Sequence, residues 1–395
     1  MKRVFLFVVL TLTLTVVALG QNNQMVSQLT INSQVMGEER VILVHTPANY
    51  ANGKQRYPVL YLTDGAAHLG HTIATVEFLA RAGRMPELIL VAIANTDRTR
   101  DLTPTNAAMK RDDGSPLKLP TSGGADKFLK FIETELIPKI ESSYRVEPYR
   151  VFAGHSFGGL FALHAMLTRP ELFNAYIAVS PTMHWDNHLL SRKAEAFFKE
   201  RKELNRTLYL TLANEGGEAK VGFERFKAIL AKNSPKGFSF GSALMEDEDH
   251  GSVVLPTHYA GLRKVFEGWQ LTGTVAGLAQ VEEHYKKLSA KFGYSVLPPE
   301  AMMNQFGYQL MGAGKMDEAL AVFKFNVKTY PESANVYDSL AEFYEKSGKL
   351  DLAKPNYAKA VELGSQTNDP NLRVYKTNLE RVSETLKKTA EAKGK

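Results

Sequence analysis

From Met25 to about Trp269 the apolar positions of this chain switch between two periods. Val26–Ile31 and Arg40–His45 alternate at period two, which predicts an antiparallel opening pair. Tyr57–Leu62 and Pro86–Ala94 are dense apolar runs, as expected of buried strands. Helical spacing follows over Leu69–Ala82, over Ala125–Ile140 with Phe128, Ile132 and Ile137 on one side, and over Phe157–Leu167. Arg150–Ala153, Asn174–Val179, Thr207–Ala213 and Phe238–Met245 read as further strands, and Asn95–Gly124 as a long polar loop. Strands alternating with helices predict an α/β fold with a mostly parallel central sheet, covered on both faces.

After Trp269 the texture becomes all-helical and a repeat emerges. Gly307, Gly314, Ala319 and Phe323 recur as Ala341, Gly348, Ala353 and Tyr357, and Leu310 maps to Tyr344. A period of about 34 with small and aromatic residues at these offsets is the tetratricopeptide signature, and Pro331 closes the first unit. Two units are fewer than the three or so such arrays need, so Gln280–Phe292 and Asn371–Ala390 are expected to cap them. The expected organisation is a segment 1–20 to be removed, an α/β domain over 25–272 and a small all-α tetratricopeptide-like domain over 276–395. A protein partner for the helical repeat is compatible with this plan.

The segment 1–20 carries Lys2 and Arg3, then an apolar stretch from Val4 to Val17, then Ala18-Leu19-Gly20 before Gln21. That apolar core is shorter than the roughly 20 residues of a membrane span, and it reads as a secretory signal peptide. No membrane span is expected after its cleavage, and the mature chain is expected to be exported, periplasmic or secreted. Composition is that of a globular protein, 44% hydrophobic and 23% charged. Cysteine is absent, which excludes disulfides, zinc–thiolate sites and a cysteine nucleophile. Loss of Lys2 and Arg3 takes the net charge from +6 to about +4. Most of that excess lies in Leu372–Lys395, with seven Lys/Arg against three Glu, a solvated terminal helix and not a nucleic-acid interface.

Chemistry concentrates at Gly154-His155-Ser156-Phe157-Gly158-Gly159, which follows a predicted strand and opens a predicted helix. This is the context of the G-x-S-x-G nucleophile elbow, a tight turn that lifts a serine above the sheet. The serine needs a base, and the base an orienting carboxylate, in the chain order Ser, acid, His. His250 sits in the polar stretch Glu246–Ser252 straight after a strand. His258 falls within the final helix, and His284 in the helical tail. His250 is therefore the expected base. The acid is expected just past Thr207–Ala213, at Glu215, with Glu218 as the alternative and Asp247 or Asp249 as substitutes. The oxyanion donors are expected to be the backbone N–H groups of Phe157 and of Ala66, in Thr63-Asp64-Gly65-Ala66.

Residues Gly37 to Phe266 resemble the esterase family of α/β-hydrolases that includes enterobactin esterases, esterase D-like enzymes and feruloyl esterases. The resemblance rests on Pro58–Gly65, Gly154–Gly159, Ser180-Pro181 with Trp185-Asp186-Asn187, and Asp249–Val253 with Gly261-Leu262. It implies hydrolysis of esters or thioesters by Ser156 and His250. The acid is the part of the motif matched least closely. In catecholate-siderophore esterases a stretch similar to Arg98–Leu102 contributes an arginine to the substrate pocket, which points to Arg98. Trp185 is a candidate wall for an aromatic or acyl group.

The expected activity is a secreted serine esterase working through an acyl-enzyme on a small-molecule or glycan-linked ester. It needs no cofactor and no metal; His68 and His71 are three apart, but no carboxylate pattern supports a metal there. An acyl-transferase on the same fold, or a non-catalytic binding protein presenting its repeat, would be the alternatives.

Overall fold

The computed structural model describes residues 26–110 and 115–393; the expected signal peptide lies outside them. The chain divides into two compact units. One holds the described residues up to Arg81 together with Pro86–Val265, the other Ala82–Met85 with the chain from Phe266 onward.

The first unit is built on the strands β1 (Val26–Ser33), β2 (Glu38–His45), β3 (Tyr57–Leu62), β4 (Ile89–Ile93), β5 (Met109–Lys110), β6 (Pro116–Leu117), β7 (Val146–His155), β8 (Ala175–Val179), β9 (Thr207–Ala213) and β10 (Ser239–Met245). Eight of them form one sheet in the order β1-β2-β4-β3-β7-β8-β9-β10. The pairs β1–β2 and β2–β4 are antiparallel, and every pair from β4 to β10 is parallel. The sheet is thus mostly parallel, as the alternation predicts. Every residue of β3, β4 and β8 is buried, because helices cover both faces. Those helices are α1 (Gly65–Arg81), α2 (Arg98–Leu102), α3 (Ala125–Phe131), α4 (Ile137–Ser143), α5 (Phe157–Thr168), α6 (Trp185–Glu200), α7 (Gly217–Asn233) and α8 (Val254–Val265).

Two local features depart from the sequence expectation. The helix over 125–140 contains a π-helical turn at Ile132–Leu136, just before Pro138, a residue that has no backbone N–H to give to a regular ladder. The loop expected over Asn95–Gly124 contains α2 and the small antiparallel pair β5–β6. Asp97 caps α2 by accepting the Arg100 N–H at 2.9 Å, and a buried charge network ties this helix to β2. Arg40, 1% exposed, donates to Asp101 at 2.6 Å, and Arg100 bonds Asp101 and Glu38.

The second unit is all-helical: α9 (Leu278–Phe292), α10 (Glu300–Gly312), α11 (Met316–Thr329), α12 (Ala334–Lys346), α13 (Leu350–Thr367) and α14 (Leu372–Lys393). α12 begins 34 residues after α10, and α13 begins 34 residues after α11. A Cβ on Gly307 would stand 2.8 Å from the Phe323 ring, so only glycine lets α10 and α11 approach this closely. Ala341, Ala353 and Tyr357 are fully buried. Among the described residues no helix is long and apolar enough to cross a membrane.

Candidate active site

Parallel strands deliver their carboxyl ends to one edge of the sheet, and the chemistry gathers there. Three non-glycine residues with positive φ stand at or near that edge: Asp64 (56°) after β3, Ser156 (59°) after β7 and Ser180 (35°) after β8. Such backbone costs about 1–3 kcal/mol per residue and persists only where the surroundings enforce it. Around Ser156 the enforcement is visible. A Cβ on Gly154 would lie 2.2 Å from the Gly158 carbonyl oxygen, and one on Gly158 would lie 2.3 Å from Thr63 Oγ1. Glycine at both positions is what lets the turn close and seat the serine at the start of α5.

This gives a stability prediction. Gly154→Ala should cost more than about 3 kcal/mol and lower the thermal midpoint by about 6–12 °C. Gly216→Ala, with nothing within 4 Å of its added carbon, should leave the midpoint unchanged. Equal midpoints for the two variants would contradict the packing of the elbow.

His250 stands in the loop between β10 and α8. Asp249 Oδ1 accepts the N–H groups of Gly251 (2.8 Å) and Ser252 (2.7 Å), and Ser252 Oγ accepts the Asp249 N–H (3.0 Å), so the turn around His250 closes on itself. Asn214 N–H donates to the Glu248 carbonyl at 2.8 Å, tying this loop to the one after β9. Glu215 is thereby carried to the histidine, and its Oε1 lies 2.9 Å from His250 Nδ1. The His250 side chain is 47% exposed and Glu215 23%. Burial pushes the Glu215 carboxyl up, but hydrogen bonding from His250 and the Ser180 hydroxyl outweighs it and holds the group below the usual carboxylate range. The alternative acid, Glu218, is instead 2.9 Å from His188 Nε2. Asp249 is spent on its own turn.

Ser180 is a residue that sequence reasoning passed over except as part of a Ser-Pro pair. It is 1% exposed and its Oγ accepts the Ala213 N–H at 2.8 Å, which leaves its proton for Glu215. Its signal was the position directly after a buried strand, but no spacing rule tells which carboxylate it will meet.

Phe157 and Ala66 are the first residue of α5 and the second of α1. N–H groups in a first helical turn have no intrahelical acceptor and sit at the positive end of the dipole. Among the described residues Arg98 bonds outside its own loop. Its Nε donates to Asp64 Oδ1 at 2.6 Å and its Nη2 to Asp64 Oδ2 and to the His155 carbonyl, each at 3.1 Å. The guanidinium also lies 5.3 Å from the Phe157 ring centre, with a third of the side chain exposed. Burial raises the Asp64 carboxyl, and the hydrogen bonds and charge of Arg98 pull it down further, below its ordinary value. Trp185 corrects the expectation of a substrate wall. It is 1% exposed, packs edge-on behind Phe157 at 5.5 Å and donates Nε1–H to Thr105 Oγ1 at 3.0 Å.

Behind the elbow lies a run of imidazoles. His155 is 4.6 Å from His250 and 5.5 Å from His68, and His68 and His71 are each within 6.3 Å of His258, centre to centre. Thr72 Oγ1 donates to the His68 carbonyl at 2.6 Å, so it accepts from His258 Nδ1–H at 3.0 Å, which fixes that tautomer. Burial pushes His258 down to about 3 and His155 to about 4, with neighbouring histidines adding to both. These groups fold as neutral bases, whereas the unfolded chain binds their protons below about pH 6.5. Stability should therefore fall as pH drops from about 6.5 toward 4. Between pH 7 and 5 we expect a loss of about 4 kcal/mol in urea melts, about half from each histidine. A flat midpoint over that window would contradict it.

The comparisons with known proteins point the same way. Residues 33–215 match the family model described as Putative esterase, a span that ends at Glu215 and stops short of His250. The chain is 36% identical over 174 residues to the ferri-bacillibactin esterase of Bacillus subtilis, covering 40% of this chain and 58% of that protein. It is 34% identical over 181 residues to the siderophore triacetylfusarinine C esterase of Aspergillus fumigatus, covering 42% and 59%. The chain thus spans less than two thirds of the length of these curated relatives. Among solved structures, an IroE-like serine hydrolase from Shewanella oneidensis superposes with a TM-score of 0.64 at 26% identity, over 85% of this chain and 99% of that one. The siderophore hydrolase EstB from Aspergillus nidulans gives 0.50 at 25% identity, over 62% and 96%. The segment 33–215, elbow included, is similar to this esterase family, and the first unit of the chain has the α/β-hydrolase fold of these solved neighbours.

Proposed function

We propose that this chain is an exported serine hydrolase that cleaves carboxylic esters. The observation that carries the reading is the Glu215–His250 hydrogen bond of 2.9 Å, set beside a serine held at φ 59° on a strand-to-helix turn. In this reading Ser156 Oγ attacks the acyl carbon while His250 takes its proton. Glu215 fixes the histidine by accepting from Nδ1–H and stabilises the imidazolium that forms. The N–H groups of Phe157 and Ala66 receive the developing oxyanion. The alcohol leaves with the proton from His250, and water, activated by the same histidine, releases the acid from the acyl-enzyme.

The names of the relatives favour siderophore esters as substrates, and Arg98 at the elbow supplies a partly exposed cation for an oxygen-rich ligand. For the second unit we propose a pair of tetratricopeptide-like repeats, α10–α11 and α12–α13, flanked by α9 and α14. Export follows from the reading of residues 1–20, and a protein partner from the reading of the repeat.

The test is a substrate panel on purified protein. It comprises a tricatecholate trilactone, a fusarinine-type hydroxamate ester, a feruloyl ester and p-nitrophenyl acetate. We expect turnover of the activated ester and a kcat/KM for at least one siderophore ester about tenfold or more above it. Hydrolysis of the feruloyl ester alone would move the substrate class, and hydrolysis of none would overturn the reading.

A further inference from the structure

The residue before the nucleophile contributes to this arrangement through its ring. His250 stands on an exposed loop, and a hydrogen bond to Glu215 at one ring edge leaves the imidazole free to swing about that contact. Its face meets the His155 imidazole, with ring centres 4.6 Å apart and planes 45° to each other. His155 is held in turn by His68, edge-on at 5.5 Å, while its own carbonyl accepts from Arg98. Its Nε2 is buried and has no hydrogen-bond partner among the described residues, while a hydrogen bond between the ring and the His250 backbone adds a second hold between the two residues.

Resting on the esterase reading above, we infer that His155 is a positioning residue: its uncharged ring face fixes the plane of His250 toward Ser156. The groups facing His155 are His250, His68, His258, Asp64 and Glu215; those facing His250 are Glu215, His155 and Asp249. A neutral neighbour is what the chemistry requires, because attack leaves a positive charge on His250, and a second cation against its face would oppose it. Burial, with the charges of the adjacent histidines, keeps His155 uncharged down to about pH 4, so it stays neutral across the working range.

The test compares His155→Phe, His155→Ala and His155→Lys in the full chain, each checked for folding by circular dichroism and thermal midpoint, on p-nitrophenyl acetate across pH. His155→Ala should lower kcat about 10–100-fold with KM within about twofold, and His155→Phe, which restores a ring face, should stay within about threefold of wild type. The acid limb of kcat/KM should coincide for wild type and His155→Phe, and move down by about one pH unit in His155→Lys. A folded His155→Ala with wild-type kcat, a folded His155→Phe as slow as His155→Ala, or an unmoved limb in folded His155→Lys would overturn the inference. If the wild-type protein hydrolyses no ester and Ser156 takes no fluorophosphonate, the esterase reading itself fails, and this inference falls with it.

Discussion

Ser156→Ala should lower kcat on an activated ester by about 10⁴–10⁶, and His250→Ala by a comparable factor. The two losses are expected to be similar and not to multiply, because in the proposed mechanism the two residues act in one step; the double variant should be scarcely slower than either single one. A serine hydroxyl at its free pKa is a poor nucleophile and needs a base, which in the proposed function is His250. His250 arrives from a different strand end. Steady-state kinetics of the three variants, each with an unchanged thermal midpoint, would read this directly. Near-full activity in Ser156→Ala would remove the nucleophile from the account.

The acid carries the second-largest effect. Glu215→Gln should lower kcat by about 10²–10⁴ while leaving KM little changed, since the amide presents a donor where Nδ1–H needs an acceptor. The expected loss is smaller than for the serine because the oxyanion donors and the serine stay in place. Glu218→Gln should be nearly silent, because Glu218 bonds His188 on the α6 side, whereas Glu215 bonds His250. Ser180→Ala should fall between the two, since it leaves Glu215 its histidine but removes the hydroxyl that helps keep the carboxylate ionised. A silent Glu215→Gln would leave a Ser–His dyad, with the histidine oriented by its loop and by His155.

The sheet was legible because its strands are buried runs of hydrophobic residues between turn signals, and that pattern depends only on neighbours in sequence. The elbow was legible for the same reason: strand, G-x-S-x-G and helix are contiguous. The choice between Glu215 and Glu218 was not decidable at that level. Three residues separate them, and what distinguishes them is the Asn214–Glu248 backbone bond that draws one loop to another across the sheet edge. Arg98 shows the same limit. Its loop offers Asp97 and Asp101 as obvious partners, yet Asp97 caps α2 and Asp101 is taken by Arg40 and Arg100, so Arg98 reaches Asp64 on the neighbouring strand. Trp185 invited a role at the surface because aromatic residues near an active site suggest one. Its burial follows from α6 packing on α5 and from the hydrogen bond that Thr105 Oγ1 accepts from its indole N–H. The imidazole run is the clearest case: His68, His71, His155, His250 and His258 come from four separate segments, and only His68 and His71, on one helix, are paired by their spacing.

The most direct test of the central claim is covalent trapping of the nucleophile. The purified chain is incubated with diisopropyl fluorophosphate, and its intact mass and peptide map are measured. The account predicts one adduct per chain, located on Ser156, absent from Ser156→Ala and formed at least about 10²-fold more slowly in His250→Ala. No adduct on a protein that hydrolyses esters, or an adduct on another serine, would contradict it.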